Sequence, residues 1–127
     1  MQSHSSRPVF LNLLQIKFPP TALASIMHRL AGVLLVFSLP PLIYLFSLFS
    51  EDQQSFSQAI EIIQKPYVSI YLYALLWALS HHFAAGIRYF LVDLDYLINK
   101  RSARISAYVV MIFGILVPVL VFVSRVL

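Results

Sequence analysis

The chain has 127 residues, of which 60% are hydrophobic and 11% charged, with a formal net charge of +4 and a mean hydropathy of +0.82. Because a soluble domain carries about 25% charged residues, this composition predicts a membrane protein and excludes an ordinary soluble enzyme. The sequence contains no cysteine, which excludes disulfides, thiolate zinc sites and iron–sulfur ligation by this chain. The basic residues stand at the ends of apolar runs, where they indicate membrane topology rather than nucleic-acid binding.

The chain begins with a short polar segment and then an amphipathic stretch that ends at Pro19-Pro20. Residues 1–7 lack the small-residue cleavage site of a signal peptide and the composition of a transit peptide. We therefore expect residues 1–19 to be an interfacial arm. The same features favour a bacterial inner membrane, with a mature organellar chain as the alternative.

Three apolar runs follow the arm, and each is long enough to cross a bilayer. Residues 30–49, 66–87 and 105–124 carry no charge, and 20 residues of helix rise about 30 Å, the thickness of the hydrocarbon core. The sequence therefore predicts an all-α membrane protein with a single domain. It comprises the arm and three transmembrane helices, at about 21–49, 66–92 and 104–126, in an up-down-up bundle.

Local signals refine these helices. Thr21 is the predicted cap of the first helix, and Pro40-Pro41 should kink it. Residues 50–65 form a polar extramembrane connection with room for a short helix, and residues 93–104 form a second connection.

The distribution of lysine and arginine sets the orientation. The side of the membrane with the N-terminus and the second connection has seven basic residues and the other side has two. This bias predicts a cytoplasmic N-terminus and a periplasmic C-terminus. The seven are Arg7, Lys17, Arg29, Arg88, Lys100, Arg101 and Arg104, and the two are Lys65 and Arg125.

A first polar cluster lies near the start of the first helix. Ser25, His28, Arg29 and Gly32 are spaced i, i+3, i+4 and i+7, so they share one helix face. A hydroxyl and a guanidinium on one face can bind a polar ligand group such as a quinone carbonyl or a propionate. The alternative is structural: Arg29 reaches the lipid headgroups and Ser25 bonds to its own backbone.

A second polar cluster, the pair His81-His82, lies at a similar depth in the second helix. Ionisable groups at membrane depth are costly and are candidates for a functional site. Around His82, Ala78, Ala85 and Gly86 predict a flat strip on which a macrocycle can lie, whereas the face of His81 is bulkier and more polar. Since a neutral imidazole is the usual haem ligand, we favour His82 as a haem ligand. A histidine that bonds to a neighbouring helix is the alternative.

These clusters, in this order and spacing, resemble the cytochrome b membrane-anchor subunit of succinate dehydrogenase in its bacterial form. The resemblance covers most of the chain and rests on Arg7-Pro8, on residues 25–32 (SIMHRLAG), on the run from His82 to Gly86-Ile87-Arg88, and on Asp93 beyond it. The likeness to the bacterial form includes residues 15–19 (QIKFP) before the first helix and 100–103 (KRSA) before the third.

Two positions depart from the family pattern. Ala31 stands where the family commonly has Ser or Thr, which removes a hydroxyl near the site. Tyr89 stands where the family has His or Phe, which leaves His82 as the sole counterpart of the family's axial histidine.

The resemblance implies a role for each matched residue. His82 would bind the iron of a b-type haem, with the other histidine supplied by a second membrane subunit. Ser25 and Arg29 would line the ubiquinone site, and His28 and Arg88 would lie near the haem propionates or the quinone pocket. Electrons from succinate would arrive through FAD and iron–sulfur clusters on a flavoprotein subunit and an iron–sulfur subunit. The chain alone would carry no catalytic residue, and a trimer of heterotetramers is a possible assembly.

Other functions fit less well. The sequence has no Gly-rich phosphate loop, nucleophile elbow or paired intramembrane carboxylates, which argues against hydrolysis and phosphoryl transfer. The anchor of a fumarate reductase and a structural anchor without haem remain alternatives. A small channel or holin-like protein would not need two polar clusters at one depth.

Overall fold

The computed structural model describes residues 17–127. They form four helices, α1 (Pro20–Glu51), α2 (Gln53–Gln64), α3 (Pro66–Asp93) and α4 (Lys100–Val126), and no strand occurs among them. Helices α1, α3 and α4 are long and apolar enough to cross a membrane. The predicted all-α membrane fold with three spans is confirmed. All but the last three residues of the predicted arm lie outside the described residues.

Prolines, and not a side-chain cap, set the start of α1. The helix begins at Pro20 with Pro19 as its N-cap, and no side chain caps it, so the prediction that Thr21 is the cap is wrong. Proline suits the first helical position because its φ is already helical and the amide proton it lacks would have no partner there. The Pro19 carbonyl accepts from the amides of Ala22 and Leu23, at 3.0 and 3.1 Å.

Helix α1 is continuous through Pro40 and Pro41. Each proline lacks an amide proton, so the carbonyls of Val36 and Phe37, four residues earlier, lose their usual helical partners. Such prolines are tolerated in membrane helices where neighbouring groups satisfy the freed carbonyls. The kink expected here stays a prediction.

The short helix α2 occupies the first polar connection. Asp52 caps it, because its carboxylate accepts a 2.7 Å hydrogen bond from the Ser55 amide. Ala59 is fully buried, in a helix that contacts both α1 and α3. At the end of α2, Lys65 is extended and Pro66 occupies the first position of α3, so the chain turns directly into the next span.

Helices α3 and α4 run antiparallel. Near the start of α3, the ring of Tyr73 lies 5.9 Å from that of Phe122, near the end of α4. Near the end of α3, the Arg88 Nε donates to Ser106 Oγ at 3.0 Å, close to the start of α4. The ends of the two helices joined by the second connection therefore lie side by side.

Helix α3 packs against both α1 and α4, and those two helices also contact each other. Helix α1 runs antiparallel to α3, because the short α2 joins the end of α1 to the start of α3 and His28 near the start of α1 meets His82 in the second half of α3. The packed surfaces are rich in small residues, which let helix backbones approach closely. The fully or almost fully buried alanines of the three spans are Ala24, Ala31, Ala78, Ala85 and Ala107.

Most large apolar side chains point away from this small core. Phe37, Phe46 and Ile70 are 77%, 71% and 70% exposed. In water such a surface would be unfavourable by about 25 cal/mol for each Å² of apolar area. It suits hydrocarbon or the apolar surface of another membrane helix, as expected of a multi-pass membrane protein.

Candidate functional site

The two predicted polar clusters meet at His28 and His82. Their rings are stacked, with 4.1 Å between ring centroids and an angle of 16° between ring planes. The Nδ1 atom of His82 lies 3.2 Å from the main-chain carbonyl oxygen of His28. The structure therefore joins the start of α1 to the second half of α3 through two histidines.

This hydrogen bond determines the tautomer of neutral His82. A carbonyl oxygen can only accept, so the proton must be on Nδ1, and the lone pair is then on Nε2. A histidine that binds a metal commonly donates its other ring N–H to a backbone carbonyl, which fixes the orientation of the ring and its tautomer. His82 thus has the donor arrangement of a metal-binding imidazole.

The close approach of His82 to α1 requires a glycine at position 32. A Cβ atom built on Gly32 would lie 3.0 Å from His82 Cε1 and 3.3 Å from Nδ1. Both distances are shorter than ordinary van der Waals contacts. Gly32, which the sequence placed on the same helix face as His28, therefore lets the His82 imidazole pack directly against the backbone of α1.

The remaining residues of the first cluster surround His28. Tyr89 lies on the α3 side, with its ring centroid 5.2 Å from that of His28 and a tilt of 50°. Ser25 is half-buried and Arg29 is exposed, and both lie within one turn of His28 on α1. The hydroxyl and guanidinium predicted to bind a quinone are therefore beside the histidine pair and accessible from outside the chain.

His81 occupies a different environment from His82. It is 0% exposed and its ring is stacked 5.6 Å from the indole of Trp77. Both ring nitrogens are buried without a hydrogen-bond partner in the described part of the chain, although the backbones of Ala24 and Val110 lie nearby. Because His81 is enclosed by this chain's own helices, it cannot reach a group outside them. The geometry therefore favours His82 over His81 as a ligand of a group outside the chain.

The flat strip expected around His82 is only partly present. Ala78 and Ala85 are 0% and 1% exposed, so they belong to the helix packing and are not available to a macrocycle. A Cβ atom on Gly86, by contrast, would meet nothing within 4 Å. The open surface next to His82 is therefore at Gly86, one turn along α3.

Arg88 points to the opposite neighbour of α3. Its Nε donates to Ser106 Oγ at 3.0 Å and its Nη2 to the Ala103 carbonyl oxygen at 3.4 Å, both on α4. The guanidinium also lies 5.4 Å from the Tyr89 ring centroid. Neither of these hydrogen bonds involves His82. The expected role of Arg88 at a propionate or quinone stays a prediction.

Sequence reasoning missed the contacts of Gly32, Tyr89 and Ser106. One signal could have found Ser106. Helices α3 and α4 are antiparallel with a short connection, so residues at equal distances from it face each other, and Arg88 and Ser106 are nearly equidistant. The contacts of Gly32 and Tyr89 depend on the rotation of α1 about its axis, which the pattern does not determine.

A comparison with a protein family and a comparison with individual proteins point to the same kind of membrane subunit. Residues 3–122 match the family described as the succinate dehydrogenase/fumarate reductase transmembrane subunit. A succinate dehydrogenase cytochrome b556 subunit from Coxiella burnetii is 31% identical over 92% of this chain and 94% of its own length. The protein of that name from Rickettsia typhi is 27% identical over 94% of each chain.

Proposed function

The chain belongs to the succinate dehydrogenase/fumarate reductase transmembrane subunit family, and on that premise we propose that it binds a b-type haem and forms part of the ubiquinone site of a succinate:ubiquinone oxidoreductase. The family assignment makes it a cytochrome b membrane-anchor subunit of succinate dehydrogenase. The haem, the quinone and the residues that bind them are the parts that we propose.

His82 is the proposed haem ligand. The observation that carries this assignment is its 3.2 Å hydrogen bond to the His28 carbonyl, because it leaves Nε2 with the lone pair that binds iron. The open space at Gly86 fits a flat group beside the imidazole. A histidine of another membrane subunit would supply the second ligand. When bound, the haem would supply one-electron redox chemistry.

Ser25 and Arg29 are the proposed quinone-binding residues. Reduction of a quinone takes two electrons and two protons and places negative charge on its oxygens before the protons arrive. A guanidinium stabilises that charge by a charge-assisted hydrogen bond, and a hydroxyl adds a neutral one. Arg29 is exposed on α1 and Ser25 lies one turn away, so both can contact a ligand held between this chain and its partners.

His28 is proposed to position His82 within this site. Its carbonyl oxygen accepts a hydrogen bond from the Nδ1–H of His82, and its ring stacks on one face of the His82 imidazole. A role for His28 near the haem propionates is compatible with its half-buried position. The two roles use different atoms of the residue.

The assembly would supply the rest of the electron path. Electrons would pass from succinate through FAD on a flavoprotein subunit and clusters on an iron–sulfur subunit. The quinone site would lie where that subunit meets the membrane. Basic residues are in excess at the start of α1, the end of α3 and the start of α4. This excess favours a quinone site on the cytoplasmic side of a bacterial inner membrane.

The family also includes the anchors of fumarate reductases, which carry out the same electron transfer in reverse. Neither the residues of the site nor the fold favours one direction. The proposed haem ligand and quinone residues are the same for both.

Purification of the complex in mild detergent tests the proposal. We expect a flavoprotein, an iron–sulfur protein and a second membrane subunit to co-purify, with a reduced-minus-oxidised absorption band of a b-type haem. An intact complex without that band would refute the haem assignment and support a purely structural anchor.

A further inference from the structure

A large apolar groove runs between α3 and α4, beside the packed core. Its volume is about 550 Å³, within the range of sites that bind small molecules. Phe83 and Ile87 of α3 and Val109 and Phe113 of α4 are among its walls, and the lining is apolar except for one arginine and two serines. The arginine is Arg88.

The length of the groove corresponds to one leaflet of a bilayer. On α4 its lining extends from Ser102 to Phe113, which is about 16 Å of helix at about 1.5 Å per residue. The hydrocarbon core of a bilayer is about 30 Å thick. A groove of this length, open along the side of the bundle, can hold one acyl chain.

Arg88 places a buried positive charge at this groove. The residue is 7% exposed, and its two hydrogen bonds go to the neutral oxygens of Ser106 and Ala103. A guanidinium has five N–H donors, so three remain for a further acceptor. A buried charge is costly when it is not neutralised. An anion at the groove would neutralise Arg88 and accept hydrogen bonds from its remaining N–H groups.

A basic patch adjoins the same end of the groove. Its side chains, Lys100, Arg101 and Arg104, are exposed at the start of α4, and Ile105 beside them also lines the apolar groove. Residues 88–104 contain four cations and the carboxylates of Asp93 and Asp95, so the segment has a net charge of +2. An apolar groove that ends at a basic patch matches a ligand with a hydrocarbon chain and a negatively charged head.

We propose that the α3–α4 groove binds one anionic phospholipid, with an acyl chain along Phe83 and Phe113 and its phosphate bound by Arg88 and the basic residues at the start of α4. Basic pockets between transmembrane helices are suited to such headgroups, and the planar guanidinium can bind two phosphate oxygens at once. The groove lies on the α4 side of α3, whereas His28 and His82 meet on its α1 side. The proposed lipid site is therefore separate from the proposed haem ligand.

The test uses the complex purified in mild detergent, stripped of lipid and titrated with dioleoyl phosphatidylglycerol, with bound lipid counted by native mass spectrometry. Arg88→Gln removes the buried charge. Ile105→Trp, at a position 53% exposed, blocks the junction of the groove and the basic patch without touching the core. Arg125→Gln removes a cation at the other end of α4 and is the control.

We expect one phosphatidylglycerol per copy of this chain in the wild type and in Arg125→Gln, and at least about tenfold weaker binding in Arg88→Gln and Ile105→Trp. A factor of ten corresponds to about 1.4 kcal/mol. In Arg88→Gln the cause is the loss of the charged hydrogen bonds, and in Ile105→Trp it is steric exclusion of the lipid. Dioleoyl phosphatidylcholine should bind more weakly than phosphatidylglycerol, and inorganic phosphate should not displace the lipid.

Three results would overturn the proposal. Equal binding of phosphatidylcholine would mean a groove that does not recognise negative charge. Displacement by millimolar inorganic phosphate would mean a site for free anions. Loss of another subunit from Ile105→Trp, with lipid binding unchanged, would mean that this surface is a protein interface.

Discussion

The imidazole of His82 lies parallel to that of His28, with 4.1 Å between ring centroids, and its Nδ1 is 3.2 Å from the His28 carbonyl oxygen. This contact joins α1 to α3 and fixes both the orientation and the tautomer of His82. It depends on the close approach of the two backbones at Gly32. The proposed haem site therefore rests on three residues from two helices.

Substitution of Gly32 tests that dependence. In Gly32→Ala the new Cβ would lie 3.0 Å from His82 Cε1, so the imidazole must move and its bond to His28 must lengthen. Overpacking of this kind costs about 1–3 kcal/mol. We expect a lower haem content, or a shifted haem absorption band and midpoint potential, in the purified complex.

Gly114→Ala is the matched control. Its Cβ would lie 2.8 Å from the Cβ of His81, so it crowds the α3–α4 packing rather than the His82 ring. We expect it to lower the thermal midpoint while the haem band of the assembled fraction keeps its position. A wild-type spectrum and potential in Gly32→Ala would show that His82 does not depend on this contact.

His81→Leu should leave the fold intact or stabilise it. Both ring nitrogens of His81 are buried without a hydrogen-bond partner in the described residues, and a buried polar group in that state costs about 1–3 kcal/mol. Leucine has a similar volume and no polar atoms. We expect the thermal midpoint of the complex to stay unchanged or rise, as measured by calorimetry or by light scattering on heating. A large fall would show that the imidazole is stabilised by a hydrogen bond to a neighbouring backbone carbonyl, such as that of Ala24 or Val110.

Arg29→Ala should slow quinone reduction without removing haem. Hydrogen bonds to charged groups contribute about 1.5–3 kcal/mol, and about 1.4 kcal/mol corresponds to a factor of ten, so the rate should fall about 10- to 100-fold. Ser25→Ala should have a smaller effect, since its hydrogen bond is neutral. Arg125→Ala, at the opposite end of the bundle, serves as the control. Normal quinone turnover in Arg29→Ala would contradict the assignment.

The start of α2 should depend on pH. The hydrogen bond from the Ser55 amide holds the pKa of the Asp52 carboxyl below its ordinary value. A carboxyl with a lowered pKa in the folded state stabilises α2 above its unfolded pKa, and this contribution is lost as the pH falls through the folded pKa. Hydrogen exchange at the amides of residues 53–56 should therefore show weaker protection in acid, relative to intrinsic exchange rates.

Asp52→Asn provides the control for that effect. Asparagine keeps an oxygen that can accept a hydrogen bond from the Ser55 amide, but its side chain has no proton to lose or gain between about pH 3 and 7. We expect amide protection in this variant to be independent of pH over that range. The same acid-induced loss in Asp52→Asn would assign the effect to another group.

The spans and the meeting of the two clusters followed from simple rules. Uncharged runs of about 20 residues gave the three helices, because the bilayer fixes their length. The alternation of helix direction predicted that the clusters of Ser25 and His82 lie at one depth. The structure confirms the three-span fold and brings His28 into contact with His82.

The rotation of each helix about its own axis was not predictable in the same way. Ala78, Ala85 and Gly86 all lie within one turn of His82, yet the two alanines are buried and the glycine is open. Small residues suit both helix packing and ligand contact, so residue type alone does not distinguish the two. Likewise, Arg88 lies close to His82 in sequence but bonds to α4. The two residues are six positions apart, which places them on helix faces about 120° apart.

The most direct test of the haem site compares His82→Leu with His81→Leu in the purified complex. Each variant removes one imidazole, from adjacent positions with opposite environments, one half-buried beside open space and the other fully enclosed. The reduced-minus-oxidised visible spectrum should lose its b-type haem band in His82→Leu and keep it in His81→Leu. Retention of the band in His82→Leu with its loss in His81→Leu would contradict the assignment of His82 as the haem ligand.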